Sequence, residues 1–232
     1  MLRETPSIPA ADSSSAQAAA ASRVLNEIRF DILFGRLRPR ERLLETELSQ
    51  RFGVGRYLIR SVLTELQRVG LVELRQNRGA VVKDPVTSDV DHLYDLRAVL
   101  QREAANRIPL PAGKELLDAL AALNARYLSS LTEGEPGGVV EANEDFHKML
   151  FGACGNPYLA EMIEQLWQKT ATIHCSAMGS PYLSGRSHQE HIDMIEALRV
   201  GDRTTLVRLC VDHMLPAFEA YKAAHGGWST RS

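Results

Sequence analysis

Arg42 to Val82 reads RLLETELSQRFGVGRYLIRSVLTELQRVGLVELRQNRGAVV, and the spacing of its apolar residues decides what the front of the chain is. Leu44, Leu48 and Phe52 recur every four residues, so Glu45 to Arg51 predicts a short amphipathic helix with one apolar stripe. Gly53-Val54-Gly55 interrupts it. A second periodic run carries Leu58, Ile59, Val62, Leu63, Leu66 and Val69 on one face and stops at Gly70, where a residue that closes a helix is expected. Two helices joined by a three-residue turn containing glycine form the helix-turn-helix pattern.

The polar face of the second helix and the segment after it indicate what the motif meets. Arg56 and Arg60 lie four apart, on one side, and Tyr57 stands beside them at the helix start, the part of a recognition helix that reaches base edges in the major groove. An arginine there can pair bidentately with guanine. Beyond Gly70, Leu71-Val72-Glu73-Leu74 and Ala80-Val81-Val82 flank Gln76-Asn77-Arg78-Gly79, a turn-rich tetrapeptide bearing a charge. This predicts a hairpin wing. The plainer reading is a small helical domain with a solvated arginine face, to which the wing would be an unrelated addition.

From Ile28 to Val82 the sequence resembles the winged helix-turn-helix of GntR-type bacterial transcriptional regulators. The matching elements are the bend from Gly35 to Pro39, Leu43 and Glu45, Leu48, Gly53-Val54, Arg56, Arg60, Leu66, Gly70-Leu71-Val72 and Arg78-Gly79. It departs at Gly55, where the family usually has serine or threonine, at Tyr57-Leu58, where a small polar residue precedes proline, and at Ser61, where glutamate is usual. The resemblance implies binding to double-stranded operator DNA, with Thr46, Gly55, Arg56, Tyr57, Arg60, Arg78 and Gly79 as the DNA-facing residues.

The 232 residues suffice for two modest domains. Net charge is −2, but Ser22 to Asp84 carries +5, residues 85–232 carry −6, and the first 21 carry −1. A basic front suits phosphates and an acidic back half is repelled by them. Cys154, Cys175 and Cys210 have no paired spacing, so neither a disulfide framework nor a cysteine zinc site is indicated. No apolar run approaches the roughly 18 residues of a spanning helix, and the start lacks a signal-peptide core, so a cytoplasmic protein with no membrane partner is expected.

Residues 1–21, rich in Ala, Ser and Pro, predict a mobile arm. A first helix is expected from an N-cap at Ser22, burying Val24, Leu25, Ile28, Ile32 and Leu33. The DNA-binding domain then spans 22–84, a linker 85–88, and a second domain 89–232. That second domain shows no strand pattern. Helical periods run from Val90 to Leu100, Leu116 to Leu131, Val139 to Phe151, Tyr158 to about Met178, Ser187 to Val200, and Arg203 to about Ala224, separated by Pro- and Gly-containing breaks such as Glu133–Gly138 and Gly201. The fold class expected is mainly α: an N-terminal winged helix-turn-helix followed by an all-α bundle that binds a ligand and forms the homodimer.

Four residues of the bundle form a second constellation. Asn143 and His147, four apart, share a helical face that Phe146 places beside the core. His191 lies ten residues before Gly201 and His213 twelve after it, so an antiparallel pair pivoting there brings them to one level. Three imidazoles and an amide oxygen suit a borderline divalent ion, Zn, Ni or Mn, with positions left for water or a ligand. The alternative is histidines satisfied by backbone or buried water. His174 is a candidate for the wall of such a cavity, and His92, His188 and His225 read as surface residues.

These residues, with Glu190-His191, Ala197-Leu198 and Gly201-Asp202, resemble the FCD effector domain of the FadR subgroup of GntR regulators, where Asp or Asn and three histidines hold a metal and a small carboxylate often binds at it. The neutral Asn143 leaves the full charge of the ion to attract such an anion. Arg97 offers a further bidentate contact to it, unless it is a surface or dimer-contact arginine. The function expected is a DNA-binding transcriptional regulator, not an enzyme, controlled by a small organic acid bound at the metal. The alternative, a metal-dependent hydrolase with an accessory nucleic-acid domain, lacks a His-Glu-x-x-His motif, and Glu190 is expected to point about 100° away from His191 on its helix.

Overall fold

The computed structural model describes residues 11–75, 79–83, 87–178 and 180–225, and these divide between two units, Met1–Asp84 and Pro85–Ser232. Of the expected linker 85–88, positions 85 and 86 lie outside the described residues, and Thr87 and Ser88 open the next helix.

The first unit opens with α1 (Ala11–Leu33). This helix begins eleven residues before the expected Ser22 cap, so positions 11–21 of the expected arm are helical, and residues 1–10 lie outside the described residues. Composition explains the difference. Ala18 to Ala21 favour the helix by propensity alone, so it extends beyond the part whose Val24, Ile28, Ile32 and Leu33 are buried. There follow β1 (Arg42–Leu43), α2 (Glu45–Phe52), α3 (Arg56–Arg68), β2 (Val72–Arg75) and β3 (Gly79–Val82). Leu58, Ile59, Val62, Leu63 and Leu66 bury the inner stripe of α3, which packs against α1 and α2.

The wing has three strands in the order β1-β3-β2, all antiparallel. Its third member, β1, pairs Leu43 with Ala80 and turns Leu43 inward at 2% exposure while Leu44 is 38% exposed. Leu43, and not Leu44, therefore joins the core. Gly79 is required here on two counts: its φ is +75°, and a Cβ would fall 2.1 Å from the Leu43 carbonyl oxygen. Arg36 and Arg51 both donate to the buried carboxylate of Asp31, tying α1 to the segment after it and to α2.

The second unit is wholly helical among its described residues: α4 (Thr87–Arg107), α5 (Lys114–Glu133), α6 (Pro136–Gly152), α7 (Pro157–Lys169), α8 (Ala171–Met178), α9 (Pro181–Val200), α10 (Arg203–Asp212) and α11 (Leu215–His225). Two helices expected as single are each broken in two. Thr170 separates α7 from α8; its hydroxyl donates back to the carbonyls of Leu166 and Trp167, a competition that bends helices. Pro216 separates α10 from α11, since it lacks an N–H and its ring clashes with the carbonyl four residues back. The fifth expected helix starts at Pro181, behind the Ser180 cap, rather than at Ser187. The expected Glu133–Gly138 bend contracts to Gly134-Glu135, with Pro136 opening α6.

Gly138 lets α6 approach α5: a Cβ there would meet the Ser130 hydroxyl at 2.5 Å. The end of α4 is held by Arg203, whose Nη1 donates to the carbonyls of Ala105, Asn106 and Ile108 at 2.7–2.8 Å. Around Phe146, Leu150, Met194, Leu198 and Leu206 lies the main apolar core. All three cysteines are buried and free, and burial pushes the Cys210 thiol up to about 12. No described helix is long and apolar enough to cross a membrane.

Candidate nucleic-acid interface and candidate metal centre

On the first unit, α3 starts at Arg56 with its apolar side inward, so its first polar turn faces solvent. Thr46, Gly55, Arg56, Tyr57 and Arg60 are all exposed, Tyr57 to 81%. Arg60 is not free: its Nε and Nη2 donate to the two carboxylate oxygens of Glu45 at 3.0 and 2.8 Å. The hydrogen bond from Arg60 and its charge hold the Glu45 carboxyl below the usual range. Arg78 and the rest of the wing tip, Gln76–Arg78, lie outside the described residues. Gly79 is accounted for by its approach to β1.

In the second unit, α6, α9 and the end of α10 bring His147, His191 and His213 together, with their ligating nitrogens all within 4.8 Å of one another. His147 Nε2 lies 3.1 Å from His213 Nε2 and 3.4 Å from His191 Nε2. Nitrogens bound tetrahedrally to zinc at about 2.0–2.1 Å are separated by roughly 3.4 Å, so these two spacings suit one ion. Phe146 stacks on His191 with ring centroids 4.0 Å apart and fixes its plane. The break before Pro216 leaves His213 at the C-terminal cap of α10, still level with His191, their ring centroids 5.0 Å apart.

Charge favours ligation. Burial first, then the neighbouring His213, His191, Arg97 and His174, push the His147 imidazole well below its ordinary value. Burial, His213 and His188 do the same to His191. Both rings are therefore neutral at pH 7, the form that binds metal.

Asn143 is 3% exposed and its Oδ1 has no hydrogen-bond partner among the described residues. It lines a cavity of about 40 Å³ together with His213, Arg97, His174, Trp167 and Arg186, room for a few water-sized groups. A buried amide oxygen without a partner, beside three converging imidazoles, fits an electron-pair acceptor.

Arg97 is fully enclosed, 2% exposed, which corrects its possible reading as a surface residue. Its Nη1 donates to the Thr170 hydroxyl at 2.8 Å, and its guanidinium lies 4.9 Å from the Tyr94 ring centre and 5.1 Å from that of Trp167. No carboxylate among the described residues pairs with it. Burial lowers its pKa from the ordinary guanidinium value. His174 is 8% exposed and packs against Trp167, centroids 4.4 Å apart.

Two residues here hold positions behind the rings that the sequence did not assign to them. Glu190 points away from His191 on α9, as helical geometry requires, yet its Oε2 lies 2.6 Å from His213 Nδ1, because His213 arrives from another helix. Arg186 Nε donates to its other oxygen at 2.7 Å. Burial raises the Glu190 carboxyl, and the hydrogen bonds from His213 and Arg186 outweigh it, so it lies below the usual range. Asn124, on α5, is 4% exposed with its Oδ1 3.1 Å from His191 Nδ1. The same oxygen lies 3.1 Å from His188 Nδ1. His188 is thus half-buried and bonded, not a plain surface residue.

The profile of the FCD domain matches residues 92–215, and that of bacterial regulatory proteins of the gntR family matches residues 20–82. The HTH-type transcriptional regulator YdhC of Bacillus subtilis is 28% identical over 142 residues, 61% of this chain and 63% of that one. The Uxu operon regulator of Haemophilus influenzae is 30% identical over 135 residues, 53% of this chain and 50% of its own length. The chain thus spans between half and two thirds of these relatives. Escherichia coli McbR/YncC shares the fold, with a TM-score of 0.69 at 18% identity over 87% of this chain and 98% of that one.

Proposed function

The chain belongs to the gntR family of bacterial regulatory proteins with an FCD domain, and we propose that this transcriptional regulator binds its operator under the control of a small carboxylate held in the FCD cavity beside a divalent metal ion. Asn143, His147, His191 and His213 are the residues that would hold the ion, Zn, Ni or Mn. A bound ion would supply a positive charge to attract a carboxylate. Arg97 offers that anion a charged fork at the cavity wall, and His174 bounds the cavity. The observation that carries the reading is Arg97 itself: a guanidinium fully buried with no carboxylate partner among the described residues makes its cavity complementary to an anion.

Regulators of this family bind operator DNA and are generally dimers. For this chain the reading is a homodimer in the cytoplasm, each copy placing Arg56, Tyr57 and Arg60 at one half-site of a pseudo-palindrome, with Thr46, Gly55, Gly79 and the wing residue Arg78 around them. The acid acts by its differential affinity for two placements of the readers. Glu190, beside the cluster, is engaged by His213 and Arg186, which does not favour its use as the general base of a hydrolytic reading.

Elemental analysis of purified protein tests the site. His191→Ala or His213→Ala should lower metal content sharply, and His92→Ala, an exposed histidine on α4, should not. Full occupancy in both site variants would remove the metal reading.

A further inference from the structure

We propose that Asn124 and Glu190 are positioning residues that lock His191 and His213 in the Nδ1–H tautomer, so that both rings turn an unprotonated Nε2 to the point where the three imidazoles meet. This rests on the metal-site reading for its purpose, and on hydrogen-bond donors and acceptors for its content.

Asn124 has one orientation that satisfies its neighbours. Its Nδ2 donates to the backbone carbonyl of His188 at 3.4 Å, and a carbonyl only accepts. The amide is thereby oriented with Oδ1 toward the two rings, 3.1 Å from His191 Nδ1 and 3.1 Å from His188 Nδ1. An amide oxygen also only accepts, so each of those nitrogens carries its proton.

Glu190 does the same from a different direction. Its Oε2, 2.6 Å from His213 Nδ1, accepts a proton-bearing nitrogen, and Arg186 holds the other oxygen. Neutral rings protonated at Nδ1 have bare Nε2 atoms, and those of His191 and His213 are two of the three that converge. His147 differs, since its Nδ1 has no hydrogen-bond partner among the described residues. Its Nε2 could carry a proton toward one neighbour only, leaving the other lone pair facing it. A polar core that settles by hydrogen bonding would not point its bare nitrogens together. A site for an electron-pair acceptor would, here with an oxygen behind two of the three ligand rings.

The rival arrangement is a His213 imidazolium paired with Glu190, donating from Nε2 to His147. Long-range ¹H–¹⁵N correlation of histidine-labelled, metal-free, full-length protein at neutral pH separates the two, because the tautomers and the charged ring have distinct nitrogen shifts. The expected result is Nδ1–H for His191 and His213. Asn124→Leu should release His191 toward the Nε2–H form, and Asn124→Asp, which keeps an oxygen, should restore it. Glu190→Leu should release His213 in the same way.

Zn²⁺ and Ni²⁺ titrations against a competing chelator give the second readout, with affinity falling about 10- to 100-fold in each Leu variant and recovering in Asn124→Asp. A wild-type spectrum with either ring in the Nε2–H or charged form overturns the proposal without any variant having to fold. Tautomers as expected in a wild type that binds neither ion would instead refute the metal reading and leave the positioning assignment standing. Unchanged tautomers in the Leu variants would show that Asn124 and Glu190 do not set them.

Discussion

Arg60 on α3 grips Glu45 on α2 through two parallel hydrogen bonds of 3.0 and 2.8 Å, so the guanidinium that we propose reads a base already holds a planar acceptor pair. On that reading, base recognition would exchange one planar acceptor pair for another. Arg56→Ala and Arg60→Ala should each weaken operator binding roughly ten- to hundredfold while leaving the protein folded. Glu45→Ala should instead raise affinity for unrelated DNA, since it removes a negative charge near phosphates and frees Arg60. Competition binding with operator and scrambled duplexes measures both. A Glu45 variant with unchanged discrimination would mean that Arg60 does not read a base.

Asp31 is a buried carboxylate serving Arg36 and Arg51, with both arginines partly in solvent. Asp31→Ala should destabilise the reader by about 1.5–3 kcal/mol, the range for hydrogen bonds to charged groups. The metal content of the FCD domain should stay unchanged. Denaturant unfolding followed separately by operator binding and by metal retention checks this. Joint loss at one midpoint would show that the two units unfold as one.

His147 and His191 bind fewer protons folded than unfolded, because burial and neighbouring positive charge lower their pKa values. Stability linked to them is complete above the unfolded imidazole value of about 6.5 and is lost as pH falls below it toward the lower folded values. The slope is up to about 1.4 kcal/mol per pH unit for each ring. Chemical denaturation of the metal-free protein at stepped pH should show this fall, and His191→Phe should reduce it. A pH-independent midpoint from pH 7.5 to 5.5 would contradict the buried, neutral rings.

Arg97 is buried with no carboxylate partner among the described residues, so its desolvation is offset by Thr170, by Tyr94 and by the face of Trp167. Replacing it by Met should stabilise the acid-free protein slightly, on the order of 1 kcal/mol, while removing its response to the acid. Thermal unfolding with and without added short-chain acids tests both halves. A large loss of stability would mark Arg97 as a structural group.

The helix-turn-helix was legible because its helices carry their own signals: periodic leucines and isoleucines, and the glycines at 53, 55 and 70. β1 was not, since two residues have no period and Leu43 is drawn inward only by pairing with Ala80. In the bundle, Gly201 placed His191 and His213 at one level from spacing alone. Thr170 and Pro216 were readable as local breakers, yet the apolar period runs on through both and masks the breaks. The parts that Asn124 and Glu190 play behind His191 and His213 could not be found this way. Their partners come from other helices, and an asparagine or a glutamate in mid-helix looks like any solvated residue until the helices are packed.

The most direct test of the central claim is an operator titration by the metal-loaded and the metal-stripped protein, each with and without a panel of short-chain carboxylic acids. The account predicts that both forms bind the operator, that at least one acid shifts the affinity of the loaded form, and that the same acid leaves the stripped form unmoved. Metal-stripped protein whose operator affinity still responds fully to that acid would contradict it, and would leave His147, His191 and His213 as structural groups.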